Sequence, residues 1–115
     1  PNIIMSSNII PDDEVPHTEK IIELCRRTHS NAIIIGGGGG LTEFEEQRLL
    51  ESGVSILIQD FKGIHPKYHQ YRRTIEGFIP CQSVIDCIFN EGLDSTKKII
   101  EDTKYLPKIY KRSLR

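Results

Sequence analysis

The chain has 115 residues, 37% of them hydrophobic, which bounds it to one domain or part of one. Lys and Arg number 15 against 16 Asp and Glu, so no net field exists to recruit nucleic acid or an anionic membrane. The longest apolar runs, Ile33-Ile34-Ile35 and Ser55-Ile56-Leu57-Ile58, fall far short of the ~20 residues that span a bilayer, and no charged-then-apolar leader opens the chain, so a cytoplasmic protein without membrane insertion is expected.

In chain order, Asn2 to Ser7 is an apolar run ending in two serines and predicts a buried strand feeding a polar loop. Pro11, Asp12, Asp13 and Pro16 make the next stretch a loop. Thr18 reads as an N-cap, with Ile21, Ile22, Leu24 and Cys25 on one apolar face of a helix running to about His29. Ala32 to Ile35 suits a central parallel strand, and five glycines, Gly36 to Gly40, follow it. Thr42-Glu43-Phe44-Glu45 is a capping box opening a helix that stops at Gly53. Val54 to Gln59 is the third strand. The resulting β-α-β-α-β order predicts a three-layer α/β fold with a parallel sheet of at least three strands.

Residues 60–80 show no periodicity and read as a long ordered loop, a place where function often resides. Ser83-Val84-Ile85-Asp86 resembles a looser capping box, with Val84, Ile85, Ile88 and Phe89 on one helical face and Gly92 at the end. Asp94 caps a last helix with Ile99 and Ile100 inward, which completes a C-terminal helical pair. The predicted organisation is a single α/β domain over 1–103 and a solvated basic tail, carrying Tyr105 and Tyr110, over 104–115.

Cys25, Cys81 and Cys87 are odd in number and lack the close pairing of a zinc site or redox motif, so they read as small buried apolar residues. His65 and His69 stand four apart, but Pro66 between them argues against the helix that would turn both toward a metal. No metal and no cofactor are expected.

In an open parallel sheet, ligands bind beyond the carboxyl ends of the strands. Here those ends are Ser6 and Ser7, the glycine run from Gly36 through Gly38, and Gln59 with Asp60. Glycines between a strand and a helix N-terminus offer free N–H groups and the positive helix end, which favour phosphate or carboxylate, although the run fits neither GxGxxG nor a P-loop. The alternative is a turn that only lets helix and strand approach closely. Asp86 could act as general base or as acceptor for a sugar hydroxyl, or only cap its helix. Ser83 is an N-cap first and a nucleophile second, since no His–Asp pair can be assigned to it. Asn90 at the helix end, and Tyr68 and Gln70 in the long loop, complete the candidates. An aromatic ring and an amide are common sugar-binding groups.

These residues carry a resemblance. Thr18 to Cys25, the strand ending at Gly36 with further glycines, Phe44 and Gly53 are similar to the second half of the WbqC-like family. More specific is Tyr68-x-Gln70 followed by Phe78-x-Pro80-x-x-Ser83-Val84-Ile85-Asp86-x-Ile88-Phe89-Asn90-x-Gly92. It resembles that family's closing pattern, Tyr-x-Gln and then Phe-x-Pro-x-x-Ser-Ile-x-Asp-Leu-Leu-Phe-Asn-x-Gly. The resemblance implies the C-terminal half of a longer bacterial protein serving O-antigen (lipopolysaccharide) or similar surface-glycan biosynthesis. It further implies a glycine or aminoacyl transferase acting on a sugar or nucleotide sugar, with the preceding half supplying the donor site. Carried over by position, the implied site residues are Gly36, Gly38, Tyr68, Gln70, Ser83, Asp86 and Asn90. Two other readings stay open: a truncated, non-catalytic binding or assembly module of the same family, and an unrelated nucleotide-binding domain. The oligomeric state is open in all three.

Overall fold

The elements run α1 (Ser6–Ile9), α2 (His17–Arg27), β1 (Ala32–Gly36), α3 (Glu43–Glu51), β2 (Ser55–Gln59), α4 (Val84–Glu91), α5 (Leu93–Glu101) and β3 (Lys108–Lys111), with a 3₁₀ turn at Thr103–Tyr105. This is a computed structural model, and it describes residues 2–10, 14–37, 40–60, 65–71 and 77–114. The chain divides into two units, Pro1–Ile58 with Lys108–Arg115, and Gln59–Pro107, where a single domain with a tail is expected from the sequence.

The first unit is built on a mixed sheet in the order β1-β2-β3, with β1 and β2 parallel and β3 antiparallel to β2. Ile56 faces Lys111, Leu57 faces Ile109 and Ile58 faces Lys108, with an irregularity in register between Ile56 and Leu57. The third strand is therefore not the predicted one. Residues 2–5 form no strand, and Ser6 and Ser7 lie on α1 instead of at a strand end. Ile3 stays 91% exposed, and its apolar run joins no strand among the described residues. The missing strand comes from the segment read as a solvated tail. Its sequence, Lys-Ile-Tyr-Lys, places a lysine at each end, as edge strands commonly do to discourage further pairing.

Beneath the sheet, Cys25, Leu49, Val54 and Ile56 form the buried cluster, with Ile21, Ile22, Ile33, Ile35, Leu41 and Leu50 packed around it. The capping box forms as its spacing requires. The Thr42 hydroxyl accepts from the Glu45 N–H at 3.3 Å, while the Glu45 carboxylate accepts from the Thr42 N–H at 2.7 Å. Helices α2 and α3 are tied together by Arg48, which donates to both carboxylate oxygens of Glu19 at 2.6 and 3.1 Å. Past β3, the Ser113 N–H donates to the Ser55 hydroxyl and the Leu114 N–H to the Leu50 carbonyl, which anchors the C-terminal segment to this unit.

The second unit centres on α4 and α5, which pack against each other across Gly92. Gly92 has φ 82° and ψ 165°, a conformation essentially restricted to glycine. The apolar face predicted for α4 is not the buried one. Val84, Ile85 and Phe89 are 51%, 57% and 83% exposed, whereas Cys87 is buried. On α5, Ile100 is 56% exposed, and the buried residue is Thr96. Its hydroxyl donates to the Gly92 carbonyl at 2.8 Å and reaches the Cys87 sulfur at 3.4 Å. Among the cysteines, Cys25 and Cys87 are buried as expected, but Cys81 is exposed, at φ 59°. Among the described residues no helix is long and apolar enough to cross a membrane.

Candidate functional site

Most of the chemistry-bearing residues singled out in the sequence meet in the second unit, around Asp86. Its position in the first turn of α4 suggests a capping carboxylate, but the side chain turns elsewhere. The Tyr68 hydroxyl donates to Asp86 Oδ2 at 2.5 Å, and the Gln70 amide reaches the same oxygen at 3.3 Å. On the other side, Asn90 Nδ2 donates to Asp86 Oδ1 at 3.2 Å and to the Asp86 carbonyl at 2.7 Å. Ser83 alone caps the helix, its Oγ accepting from the Ile85 N–H at 3.3 Å.

The same residues explain how the aperiodic segment 65–71 stays ordered. Its backbone bonds to side chains instead of a neighbouring strand, so every donor needs an individual partner. The His69 N–H donates to Glu91 and the Tyr71 N–H to Asn90 Oδ1. Gln70, buried, clasps Ile79 at two points. Its amide donates to the Ile79 carbonyl at 2.9 Å, and its oxygen accepts from the Ile79 N–H at 3.0 Å. The Phe78 ring meets Tyr68 edge-on at 5.2 Å and lies 5.4 Å from His65.

Tyr68 also faces a cavity of about 470 Å³ that lies wholly within this unit. That volume is in the range of small-molecule sites. Ser83 lines it too, together with Gln59, His65, Cys81 and Gln82, above an apolar floor from α4, α5 and the segment after α5. Asp86, Gln70 and Asn90 do not line it. They stand behind Tyr68 and hold it. His65 fixes the lip: its Nδ1 donates to the Pro66 carbonyl at 2.7 Å, and its Nε2 accepts the Cys81 N–H at 2.9 Å. Sequence reasoning weighed His65 only as a metal ligand and Cys81 only as a buried thiol. A pairing across 16 residues leaves no local signal. Tyr105, read as part of a tail, is likewise a cavity residue, and its carbonyl accepts from Gln59 at 2.5 Å.

The glycine turn presents a different picture. Gly36 and Gly40 are described and exposed, while Gly38 falls outside the described residues. A Cβ added at Gly36 or Gly40 would meet nothing within 4 Å, so no close approach demands glycine at either on steric grounds. The helix end that follows carries Glu43, Glu45 and Glu46 in its first turn. The Glu45 carboxyl is held below the usual carboxylate range, chiefly by the Thr42 N–H and then by the Thr42 hydroxyl. That helix terminus is thus already served by its own anions. Asp60 is exposed at the start of the second unit and is not a cavity residue.

The WbqC-like protein family model matches residues 1–98 of the chain. The chain belongs to the WbqC-like family. No curated protein and no solved structure matches significantly. In this WbqC-like protein, the residues of the closing pattern assemble into one hydrogen-bonded unit, with Tyr68 and Ser83 at the cavity and Gln70, Asp86 and Asn90 supporting them.

The network has a measurable signature. Burial first, and then the bond to Asp86, raise the Tyr68 phenol above the usual tyrosine range. A phenol whose folded value is raised contributes stability below the ordinary tyrosine range, and that contribution is lost as pH rises through the folded value. Of the four tyrosines, one is therefore expected to ionise late in a tyrosinate absorbance titration. The second unit should loosen through that same step, and Tyr68→Phe should remove it. A late step that persists in Tyr68→Phe would contradict the assignment.

Proposed function

We propose that this WbqC-like protein holds the substrate of a transferase acting on a surface-glycan precursor, a sugar or nucleotide sugar, and that the substrate docks at the cavity of the Gln59–Pro107 unit. One observation carries the reading: Tyr68 and Ser83 line the cavity, while the other residues of the closing pattern fix Tyr68 in place. In this reading Ser83 is the group that touches substrate. Its oxygen already accepts from Ile85, which leaves its proton to donate to a sugar hydroxyl or carbonyl. Asp86 is a positioning residue, acting through Tyr68, because its carboxylate is engaged by three side-chain donors and does not face the cavity.

The test is a thermal-shift screen against nucleotide sugars, free sugars, glycine and buffer. A ligand at 100 times its Kd stabilises the folded state by about 2.7 kcal/mol, well within detection. A shift with a nucleotide sugar is expected, and it should be lost in Ser83→Asp. Aspartate caps a helix as well as serine does, so the fold is retained while a carboxylate enters the cavity wall. A protein that melts cooperatively yet shifts with none of these ligands would instead be a non-catalytic module of the family.

A further inference from the structure

The lining of the cavity says more about its occupant than its location does. None of the described residues that line it is an Asp, Glu, Lys or Arg. A phosphate or carboxylate entering it would shed hydration and meet no cationic side chain among the described lining residues, and Lys104, 5.0 Å from the ring of the lining Tyr105, is already paired with Asp102. The polar side chains that do line it are mostly committed to the protein. Gln59 donates to the Tyr105 carbonyl, Tyr68 to Asp86 and Thr96 to the Gly92 carbonyl, and both ring nitrogens of His65 are engaged. Such a wall has few hydrogen bonds left for a ring bearing several hydroxyls. Between those groups the surface is hydrocarbon and sulfur, from Val84, Cys87, Ile99, Ile100, Leu106 and Pro107.

The geometry points to an uncharged acyl chain as the group that enters this cavity, with any phosphate or sugar ring of the same molecule remaining outside. The volume of 470 Å³ is roughly three times that of a cavity that admits one benzene ring, so a chain of several methylenes fits. The Ser83 hydroxyl proton is available to the carbonyl at the head of such a chain, and Gln82, whose amide already donates to the Pro80 carbonyl at 3.2 Å, keeps one further amide hydrogen for it. The inference rests on the reading above only for the position of the site.

Calorimetric titration of the full chain with neutral alkyl β-glucosides, from methyl to octyl and below micelle formation, tests it. Affinity should tighten by about fourfold per added methylene, the equivalent of about 0.8 kcal/mol for each one buried, until the cavity is full. Inorganic pyrophosphate should not bind there. Val84 is half exposed, so Val84→Glu should leave the melting curve unchanged while the carboxylate at the wall abolishes the chain-length dependence. Affinity that ignores chain length, or a dependence that survives in Val84→Glu, would overturn the inference. The two readings fail separately. Chain-length dependence without any nucleotide-sugar shift removes the glycan-precursor reading and keeps the acyl site, and a nucleotide-sugar shift without chain-length dependence does the reverse.

Discussion

Asp86→Ala is expected to destabilise the Gln59–Pro107 unit by about 2–4 kcal/mol, the largest effect of any single polar substitution in it. The carboxylate accepts from Tyr68 at 2.5 Å, from Gln70 at 3.3 Å and from Asn90 at 3.2 Å. Bonds to a charged acceptor are individually worth about 1.5–3 kcal/mol. The loss falls short of three full bonds because two donors keep a second partner, Gln70 in the Ile79 carbonyl and Asn90 in the Asp86 carbonyl. Tyr68 loses its shortest bond, with the Gln70 amide as its remaining side-chain neighbour. Asp86→Asn keeps an acceptor for the phenol and should cost less than half as much. Chemical denaturation followed through tyrosine fluorescence would measure both. Equal losses in Ala and Asn would mean that the charge, and not the network, holds the segment 65–71. A loss below about 1 kcal/mol in Asp86→Ala would show that the network carries little stability.

Leu49→Ala should have a comparable effect on the other unit, at about 2–5 kcal/mol. Leu49 and Ile56 are 0% exposed, at the centre of the cluster that joins α2, α3 and the sheet. Truncation removes the transfer energy of the lost carbons and leaves a cavity that only partly collapses. Phe44, on the same helix but 77% exposed, provides the control, and its truncation should stay within about 0.5 kcal/mol. The readout can be made specific to this unit, because Cys25 lies in the same cluster and burial raises its thiol above the usual range. Its labelling should accelerate in Leu49→Ala and not in Phe44→Ala. Equal behaviour of the two variants would displace Leu49 from the core.

How much of this was legible in the sequence follows from what each segment relies on. Helices α2, α3 and α4 announce themselves through local chemistry: an apolar period, a Thr42–Glu45 box and a Ser83 cap satisfied within a turn. Strands β1 and β2 are apolar runs bounded by turn residues. The errors lie where structure depends on distant partners. Residues 2–5 are as apolar as a strand yet pair with no strand among the described residues, while Lys108–Lys111 is polar at both ends and becomes a strand because β2 offers it an edge. On α4, apolar residues occur on several sides, so periodicity could not say that Cys87 turns inward and Phe89 outward.

The site divides in the same way. Tyr68, Gln70, Ser83, Asp86 and Asn90 were recognisable as a pattern, but their roles were not. Asp86 read as a base, an acceptor for a sugar hydroxyl or a cap, and the direction of its side chain, toward Tyr68 and Asn90, leaves no local signal. His65 and Cys81 were invisible as a pair because their bond joins a ring nitrogen to a backbone N–H far along the chain. The glycine run suggested an anion site from sequence, since bare N–H groups at a helix start attract anions. Three glutamates in the first turn of α3 weaken that attraction, and they were present in the sequence all along.

The proposed ligand site is the cavity lined by Tyr68 and Ser83, with Asp86, Gln70 and Asn90 behind Tyr68, and not the glycine turn. An amide-resolved NMR titration of the labelled chain with a nucleotide sugar tests it most directly. The account predicts perturbations concentrated in residues 65–71, 81–87 and 96–107. Perturbations concentrated in residues 36–46, with the cavity residues unmoved, would contradict it.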